Sequence, residues 1–301
     1  MKAQFDNQVV SSFMLWFDHT LLKEGEAYTN TTGLFYDMED EINGYFTYAL
    51  PYKQIVSDKS ITGAKIPCAE GPTGISINGN PILTGTSGWA AINYFEGQVY
   101  FTGNGLGAWP VTGDISGSFA VKDFNIYLTN EPEEKLLLET KHNLRPKVTE
   151  DRTGIAIDAI TYPAIFLRYN GAHNEPFAFG GLDSTIIDIR AIVLGDNQFH
   201  TDAVCSIFRD KARTFMCLFG ENEMPYNTLG GFKNSQQFDY TGSIKGKVSA
   251  SSGVYIDNVW VSRFNRNIPS DMKNMNSEVY PAFIDFELSK VRLPRQQNGP
   301  M

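Results

Sequence analysis

The sequence has few of the residues on which disulfide-bonded, metal-binding and catalytic proteins depend. Its 301 residues include only three cysteines and four histidines. Cys68, Cys205 and Cys217 are odd in number and widely spaced, which argues against a disulfide scaffold and indicates reduced, mostly buried thiols. The histidines are scattered along the chain and show no His-x-x-His spacing. A metal ion would therefore need ligands from distant segments, and we expect none.

Long apolar runs and an excess of basic residues are also absent. No segment reaches the roughly 18 apolar residues of a membrane-spanning helix. Asp6 and Asp18 interrupt the apolar N-terminal stretch, and no small-residue cleavage site follows it. We therefore expect a protein that is made in the cytoplasm and does not enter a membrane. The net charge of −9 and the pI near 5.0 exclude a general affinity for nucleic acid as the main role.

Two glycine-containing turns lack the features of a phosphate-binding loop. In "IDIRAIVLGDNQFH" a strand runs into a turn and then a helix, but the turn has one glycine, Gly195, and Asp196 would repel an anion. In "TGNGLGAWP" the glycines are spaced G-x-G-x-G and are followed by Trp109-Pro110 rather than by a helix. Both segments are interpreted as structural loops, and no cofactor is predicted.

The abundant residues predict a mainly β protein with a packed core. Aromatic residues make up 13% of the chain and 27 residues are glycine. Asn78-Gly79 and Glu96-Gly97, each between apolar flanks, predict hairpin turns. We interpret residues 1–150 as a β-sandwich or jelly-roll domain, in which "SFMLWFDHTLL" is the first strand. "NEPEEKLLLETK" fits neither periodicity well and is assigned to a strand as well.

The second half predicts a different unit, an α+β domain over residues 151–301 that ends in a C-terminal arm. The boundary is placed near residue 150, in the polar stretch "RPKVTEDRTG". One helix is predicted over residues 201–219, with Thr201 as its N-cap and Gly220 at its end. It packs on an antiparallel sheet whose strands are predicted in "YPAIFLRYNG", "STIIDIRAIVLG", "FDYTGSIKGKVSAS", "GVYIDNVWVSRF" and "EVYPAFIDFELSKVRL".

Two groups of residues leave alternatives open. The acidic run Glu39-Asp40-Glu41 is typical of a solvated loop, but it also fits a Ca²⁺ ligand or half of a glycosidase carboxylate pair. Dense aromatic residues in the first half are typical of a β core or an interface, but they also fit a sugar-stacking face. They are Tyr45, Phe46, Tyr48, Tyr52, Trp89, Tyr94 and Phe95.

Four segments resemble virion structural proteins of tailed bacteriophages, of the tail and neck kind. They are "SSFMLWFDHTLLKEGEAYTN", "GYFTYALPYKQIVSD", "KDFNIYLTNEPEEKLLLETK" and "EPFAFGGLDSTIIDIRAIVLGDNQFHTDAVCSIFRD". The resemblance implies a non-enzymatic component of the virion. The α+β half is similar to tail-terminator and head–tail joining proteins, which implies a ring of identical copies bound to other virion proteins. Such a ring lies close to phage DNA without reading its sequence. The large N-terminal β domain departs from a minimal terminator and leaves a baseplate position open.

If the ring model holds, the predicted subunit contacts are the outer face of the helix (Arg209, Asp210 and Arg213) and the C-terminal arm (Arg292 and Arg295). Deletion of residues 290–301 is expected to weaken assembly. Two alternatives remain open. A carbohydrate-binding or adhesin module of the tail tip would use Trp89 and Trp109, and a phage-associated polysaccharide hydrolase would use a carboxylate among Glu39–Glu41.

Overall fold

The computed structural model describes eleven stretches of the chain, and all structural statements below refer to them. They are residues 5–42, 45–67, 72–83, 88–102, 113–139, 143–144, 161–178, 182–226, 233–247, 253–263 and 279–292. The described strands form two large sheets and one small pair, with few helices. The prediction of a mainly β chain with a smaller α part is confirmed. None of the described helices combines the length and the apolar character of a membrane span.

The first sheet has seven strands in the order β4-β3-β7-β1-β2-β6-β5. Its long strand β1 pairs with β7 through residues 28–35 and with β2 through residues 36–42, so that β1 joins the two halves of the sheet. Phe35, Phe101 and Phe119 from both halves contribute to one buried cluster. The strands are β1 (Tyr28–Ile42), β2 (Tyr45–Ala49), β3 (Pro72–Ile77), β4 (Asn80–Leu83), β5 (Trp89–Asn93), β6 (Gln98–Thr102) and β7 (Ile115–Lys122).

Both predicted hairpin turns in this sheet are confirmed. Asn78 and Gly79 join β3 to β4 with φ of 50° and 79°, the left-handed pair that a tight two-residue hairpin requires. Gly97 lies in the turn between β5 and β6 with φ of 65°.

The second sheet has six strands in the order β13-β14-β15-β12-β11-β8. All neighbours are antiparallel except β8 and β11. Ile187, Ile189, Ala191 and Val193 form the buried side of β12, as their alternation predicts. The strands are β8 (Asn125–Thr129), β11 (Ala164–Ala178), β12 (Leu182–Gly195), β13 (Thr214–Cys217), β14 (Gly253–Arg263) and β15 (Tyr280–Arg292); β9 (Asn143–Leu144) and β10 (Thr161–Tyr162) form the separate small pair.

The N-terminal strand prediction is wrong, because "SFMLWFDHTLL" lies within helix α1 (Phe5–Glu24). Val9, Phe13, Phe17 and Leu21 recur every four residues and are buried, but polar and apolar residues on other sides of the helix are buried as well. A helix that is surrounded on several sides shows little difference in hydrophobicity between its faces. The apolar run therefore gave no clear helical period.

The predicted helix over residues 201–219 is too long and begins too late. Helix α2 spans Gln198–Arg209. Its N-cap is Asn197, whose side chain accepts a hydrogen bond from the backbone N–H of His200, at 2.7 Å. The chain turns after Asp210 through Arg213, which has a left-handed φ of 63°. Residues 214–217 then form β13, because pairing with β14 replaces the helical hydrogen bonds.

Two further strand predictions are wrong. Lys135–Glu139 forms a π-helical turn, and Leu136 and Leu137 pack against the outer side of the second sheet. Tyr240–Ile244 forms the short helix α3, with Asp239 as N-cap. The second sheet therefore receives two longer helices, α1 and α2, where one was predicted.

Helix α1 connects the second sheet to the first. Phe13, Trp16 and Phe17 pack with Phe208 of α2 and Phe286 of β15 in the largest core. The C-terminal end of α1 contacts β7 of the first sheet and the segment that follows β2, where Leu22 packs with Val56, Ile61 and Ala120. The boundary predicted near residue 150 lies outside the described residues.

Candidate functional site: the outer face of the second sheet and a buried polar cluster

A buried polar cluster joins α1 to the segment that follows β2. His19 Nδ1 lies 2.7 Å from Asp58 Oδ2, and both residues are buried. The Ser60 hydroxyl donates to Asp58 Oδ1 at 2.7 Å, and the backbone N–H groups of Ser60 and Tyr240 donate to the same oxygen. The Tyr240 ring stacks on the His19 ring, with centroids 4.2 Å apart.

The cluster holds the carboxylate of Asp58 in its charged form. Burial by itself raises the pKa of Asp58. The hydrogen bonds from His19, Ser60 and Tyr240 outweigh burial, so that the pKa lies below its ordinary value of 3.8.

The geometry of this cluster differs from that of a Ser-His-Asp triad. In a triad the serine and the carboxylate bind opposite nitrogens of the imidazole. Here Ser60 Oγ and Asp58 Oδ2 lie on the same nitrogen of His19, Nδ1, at 3.4 and 2.7 Å. The hydroxyl donates to the carboxylate rather than to the imidazole. We therefore interpret the cluster as a structural link between α1 and the segment that follows β2.

The other notable arrangement of side chains lies on the face of the second sheet that is turned away from α1 and α2. Strand pairing places Arg168, Arg190, Asp285 and Trp260 in one row across β11, β12, β15 and β14. Arg190 binds Asp285 through Nε at 2.5 Å and Nη2 at 3.0 Å, and it binds Glu133 through Nη1 at 2.6 Å. These bonds raise the pKa of Arg190, so that the row carries a fixed, oriented ion pair.

Beyond this ion pair the face presents large side chains to solvent. Trp260 is 52% exposed and Tyr255 is 47% exposed, both on β14, and Val291 on β15 is 44% exposed. We call these three residues, with Asn258 and Glu287 between them, the outer patch. Asn258 Nδ2 donates to Glu287 Oε1 at 3.3 Å. Exposed aromatic residues beside ordered polar groups are typical of protein-binding surfaces.

The predicted interface residues on the helix lie at its C-terminal end. Arg209 and Asp210 are exposed and contact each other at 3.4 Å, but Asp210 is the C-cap rather than part of an outer face. Arg213 is exposed in the turn before β13, and its backbone N–H donates to Ile256 O at 2.7 Å. The three residues remain candidates for subunit contacts, and Arg213 lies beside Ile256 of β14.

The predicted C-terminal arm starts later than residue 290. Lys290, Val291 and Arg292 belong to β15 and pair with Thr185, Ser184 and Asp183 of β12. Arg292 therefore ends a strand. Because β14 and β15 are antiparallel, this end of β15 lies at the same end of the sheet as the start of β14. Arg295 lies outside the described residues.

Several sequence candidates receive a more specific placement. Glu39–Glu41 lies on β1 rather than in a loop. Of the aromatic residues, Tyr48 and Tyr94 are in the core of the first sheet, and Phe46, Tyr52 and Trp89 pack against it. Trp109 and the glycines of "TGNGLGAWP" lie outside the described residues. The turn at Gly195 serves as the entry to α2, with Asn197 capping the helix.

Sequence reasoning missed the outer patch. In "GVYIDNVWVSRF" Trp260 lies on the side of the strand where the alternation predicts polar residues. Its two neighbours are valines that pack against the core. A tryptophan at such a position is the signal that would have identified the patch.

Among the described residues, no group of three or more His, Cys, Asp or Glu side chains is arranged to hold a metal ion. No protein-family model, no curated protein and no solved structure matches this chain.

Proposed function

We propose that this chain is a non-enzymatic structural component of a tailed-phage virion, assembled in several copies at the neck or tail. The observation that carries the proposal is the outer patch. It combines an exposed tryptophan, an exposed tyrosine and an exposed valine on one face of a six-stranded sheet. Such a sheet face is suited to contact with another protein, because it presents exposed apolar side chains beside hydrogen-bonded polar groups.

The resemblance of four segments to tail and neck proteins supports the virion as the place of assembly. The buried contacts between the two sheets support a structural role. Asp18 of α1 binds Lys122 of β7 through both carboxylate oxygens at 2.8 Å, and this pair adds to the His19–Asp58 contact. Neighbouring virion proteins and further copies of this chain are the proposed partners. The acidic net charge disfavours adhesion to DNA, as suits a ring through which DNA passes.

Immunogold electron microscopy of particles from the lysate that contains this protein tests the proposal. Label at the head–tail junction supports a terminator or neck ring, and label at the distal tip supports a baseplate position. Antibody that has been preadsorbed with the purified chain is the control for specific labelling. The absence of label from every particle would overturn the virion assignment.

The outer patch is tested by incorporation of variants into particles. Trp260→Lys is expected to lower incorporation at least several-fold, because the charged side chain removes the aromatic centre of the patch. Leu83→Lys is the matched control, since Leu83 on β4 is also 52% exposed but lies in the first sheet. Equal incorporation of the two variants would contradict the use of this face.

A further inference from the structure

Two of the four outer strands of the large sheets are closed by hydrogen bonds from another segment. The unpaired N–H and C=O groups of an edge strand are a template for another chain, and proteins commonly block them. On β8, the side chain of Gln54 donates to Ile126 O at 2.7 Å and accepts from Ile126 N at 2.9 Å. On β5, Ser235 donates to Ile92 O at 2.6 Å, and its hydroxyl accepts from Ile92 N at 3.0 Å.

Two further edges are interrupted by their own backbone. β4 is four residues long and contains Pro81, which has no N–H to donate. The part of β11 beyond β8 has register irregularities next to Gly171 and at Pro176. Bulges and prolines of this kind prevent another strand from pairing along the edge.

The edge formed by β14 differs from these. β13 pairs only with residues 253–256 of β14. Residues 258–263 keep a regular antiparallel register with β15 on one side. On the other side, no backbone hydrogen bond joins residues 257–263 to any described residue. The segment is extended, lacks proline and carries Trp260 at its middle.

We propose that this edge pairs with the same edge of a second copy of the chain, antiparallel about a two-fold axis at Trp260. The segment Asp257-Asn258-Val259-Trp260-Val261-Ser262-Arg263 has nearly the same character in both directions. Val259 then opposes the partner's Val261, and Asn258 opposes the partner's Ser262. Trp260 meets the partner's Trp260. An isologous contact requires such self-complementarity.

The charges at the two ends of the segment fit the same pairing. Asp257 comes opposite the partner's Arg263, and the axis repeats this pair at the other end. The side chain of Arg263 is 62% exposed and binds Asp202 of α2 at 3.1 Å. A parallel arrangement in register would instead bring like charges together, which is unfavourable.

The two faces of the segment also favour a second copy. Val259 and Val261 pack against the main core, so that pairing would continue this core across the axis. Trp260, on the outer face, would lose most of its exposed area against the partner's Trp260. Cross-strand aromatic and β-branched pairs stabilise adjacent strands. The two sheets would become one continuous sheet, which is a known mode of strand addition.

This inference rests on the proposed function only for its biological purpose, because it names the partner in assembly. A two-fold contact produces pairs rather than rings. A ring would need a second contact as well, and Arg209 and Asp210 at the end of α2 remain the candidates, whereas Arg213 adjoins the paired edge through its hydrogen bond to Ile256 O.

Cysteine cross-linking of the purified full chain tests the pairing. All variants carry Cys68→Ser, and Cys205 and Cys217 are buried. Trp260→Cys is expected to form a disulfide-linked dimer under mild oxidation, because the two Cα atoms would lie about 5 Å apart across the axis. A mixture of Asn258→Cys and Ser262→Cys chains is expected to form a disulfide-linked dimer of one chain of each kind, because residue 258 would lie opposite the partner's residue 262.

Ser262→Cys alone is the matched control. Two copies of residue 262 would be displaced by four residues along the strands, about 14 Å, which is too far for a disulfide. Equal cross-linking of Ser262→Cys and Trp260→Cys would show random collision and overturn the pairing. The absence of cross-links from both Trp260→Cys and the mixture would also overturn it.

Sedimentation of the unmodified protein provides a readout without cysteines. The chain is expected to sediment as a dimer whose dissociation constant rises at least tenfold in Trp260→Lys but not in Leu83→Lys. A monomer at all concentrations would contradict the inference. Virion labelling would be unaffected by that result, so that the pairing and the proposed function fail separately.

Discussion

His19 and Asp58 are 39 residues apart in sequence, yet Nδ1 of His19 lies 2.7 Å from Oδ2 of Asp58 inside the protein. His19 belongs to the helix that packs on the second sheet, and Asp58 belongs to the segment that follows β2 of the first sheet. Phe238 strengthens the junction, because its backbone N–H donates to Ser57 O and its carbonyl accepts from Lys59 N. The two sheets are therefore joined by buried polar contacts as well as by apolar packing.

Replacement of Asp58 by Asn is expected to lower the free energy of unfolding by about 1–3 kcal/mol at pH 7. The substitution removes the charge that His19 and Ser60 bind, inside a buried site. Denaturation in urea measures the change. Asp114→Asn, at an exposed position, is the control and is expected to change stability by less than about 0.5 kcal/mol.

The stabilities of the wild-type protein and of Asp58→Asn are expected to depend differently on pH. The pKa of Asp58 is lower in the folded chain than its ordinary value of 3.8, so that its contribution is complete above that value. The contribution is lost as the pH falls through the lower folded pKa. The difference in stability between wild type and Asp58→Asn should therefore shrink in acid below pH 3.8. A constant difference down to pH 2 would contradict this account.

Replacement of Gln54 by Ala is expected to destabilise the protein by about 1–3 kcal/mol for each backbone group of Ile126 that is left without a partner. The amide of Gln54 pairs with both groups, and Gln54 is 1% exposed. Gln54→Glu is expected to destabilise the protein as well, since a carboxylate does not donate to Ile126 O and would bring a charge into a buried site. Thermal unfolding compares these variants with Gln198→Ala, an exposed control. Equal stability of all three would show that the edge of β8 needs no cap.

Comparison of Gly97→Ala with Gly79→Ala separates the stability cost of backbone strain from that of a steric clash. Both have a positive φ, 65° and 79°, which costs a side chain about 1–2 kcal/mol. A Cβ at Gly97 would also collide with the carbonyl oxygens of Tyr52 and Lys53, whereas a Cβ at Gly79 meets nothing within 4 Å. Gly97→Ala is therefore expected to cost at least about 2 kcal/mol more than Gly79→Ala in urea denaturation. A smaller loss for Gly97→Ala than for Gly79→Ala would be inconsistent with the described turn.

The buried thiols are expected to resist alkylation in the folded protein. Burial raises the pKa of Cys205 to about 11, with a further contribution from Asp202, and it also raises the pKa of Cys217. Because the thiolate is the nucleophile, iodoacetamide at pH 8 should label both residues at least tenfold more slowly than in urea. Peptide mass spectrometry measures each site separately. Rapid labelling of Cys205 in the native chain would contradict its burial.

The C-terminal arm is best tested by deletion of residues 293–301. A deletion that starts at residue 290 also removes strand residues paired with β12 and would lower stability for an unrelated reason. The shorter deletion is expected to leave the unfolding midpoint unchanged and to weaken assembly. Sedimentation and thermal unfolding of the same sample distinguish the two effects. Normal assembly of the shorter chain would exclude the arm as a subunit contact.

The strands whose two faces differ in polarity are recognisable from the sequence alone. In β12 and β15, buried apolar residues alternate with half-exposed ones, and both strands were predicted. The hairpin at Asn78-Gly79 was also determined locally, because few residue pairs adopt two left-handed conformations in succession. Each of these features depends on neighbours within a few residues along the chain.

Helix α1, the end of α2 and the unpaired edge of β14 depend on contacts between segments that are distant in sequence. α1 carries buried residues on several sides, so that its periodicity was hidden until the surrounding elements were known. Phe215 and Leu218 fitted the stripe of a longer helix, and only pairing with β14 shows that the chain reverses at Arg213. The open edge around Trp260 depends on the short length of β13, and hence on which strand ends where. Local sequence determines the conformations that a segment favours, whereas long-range pairing and burial select among them, because they satisfy backbone groups that the segment alone leaves open.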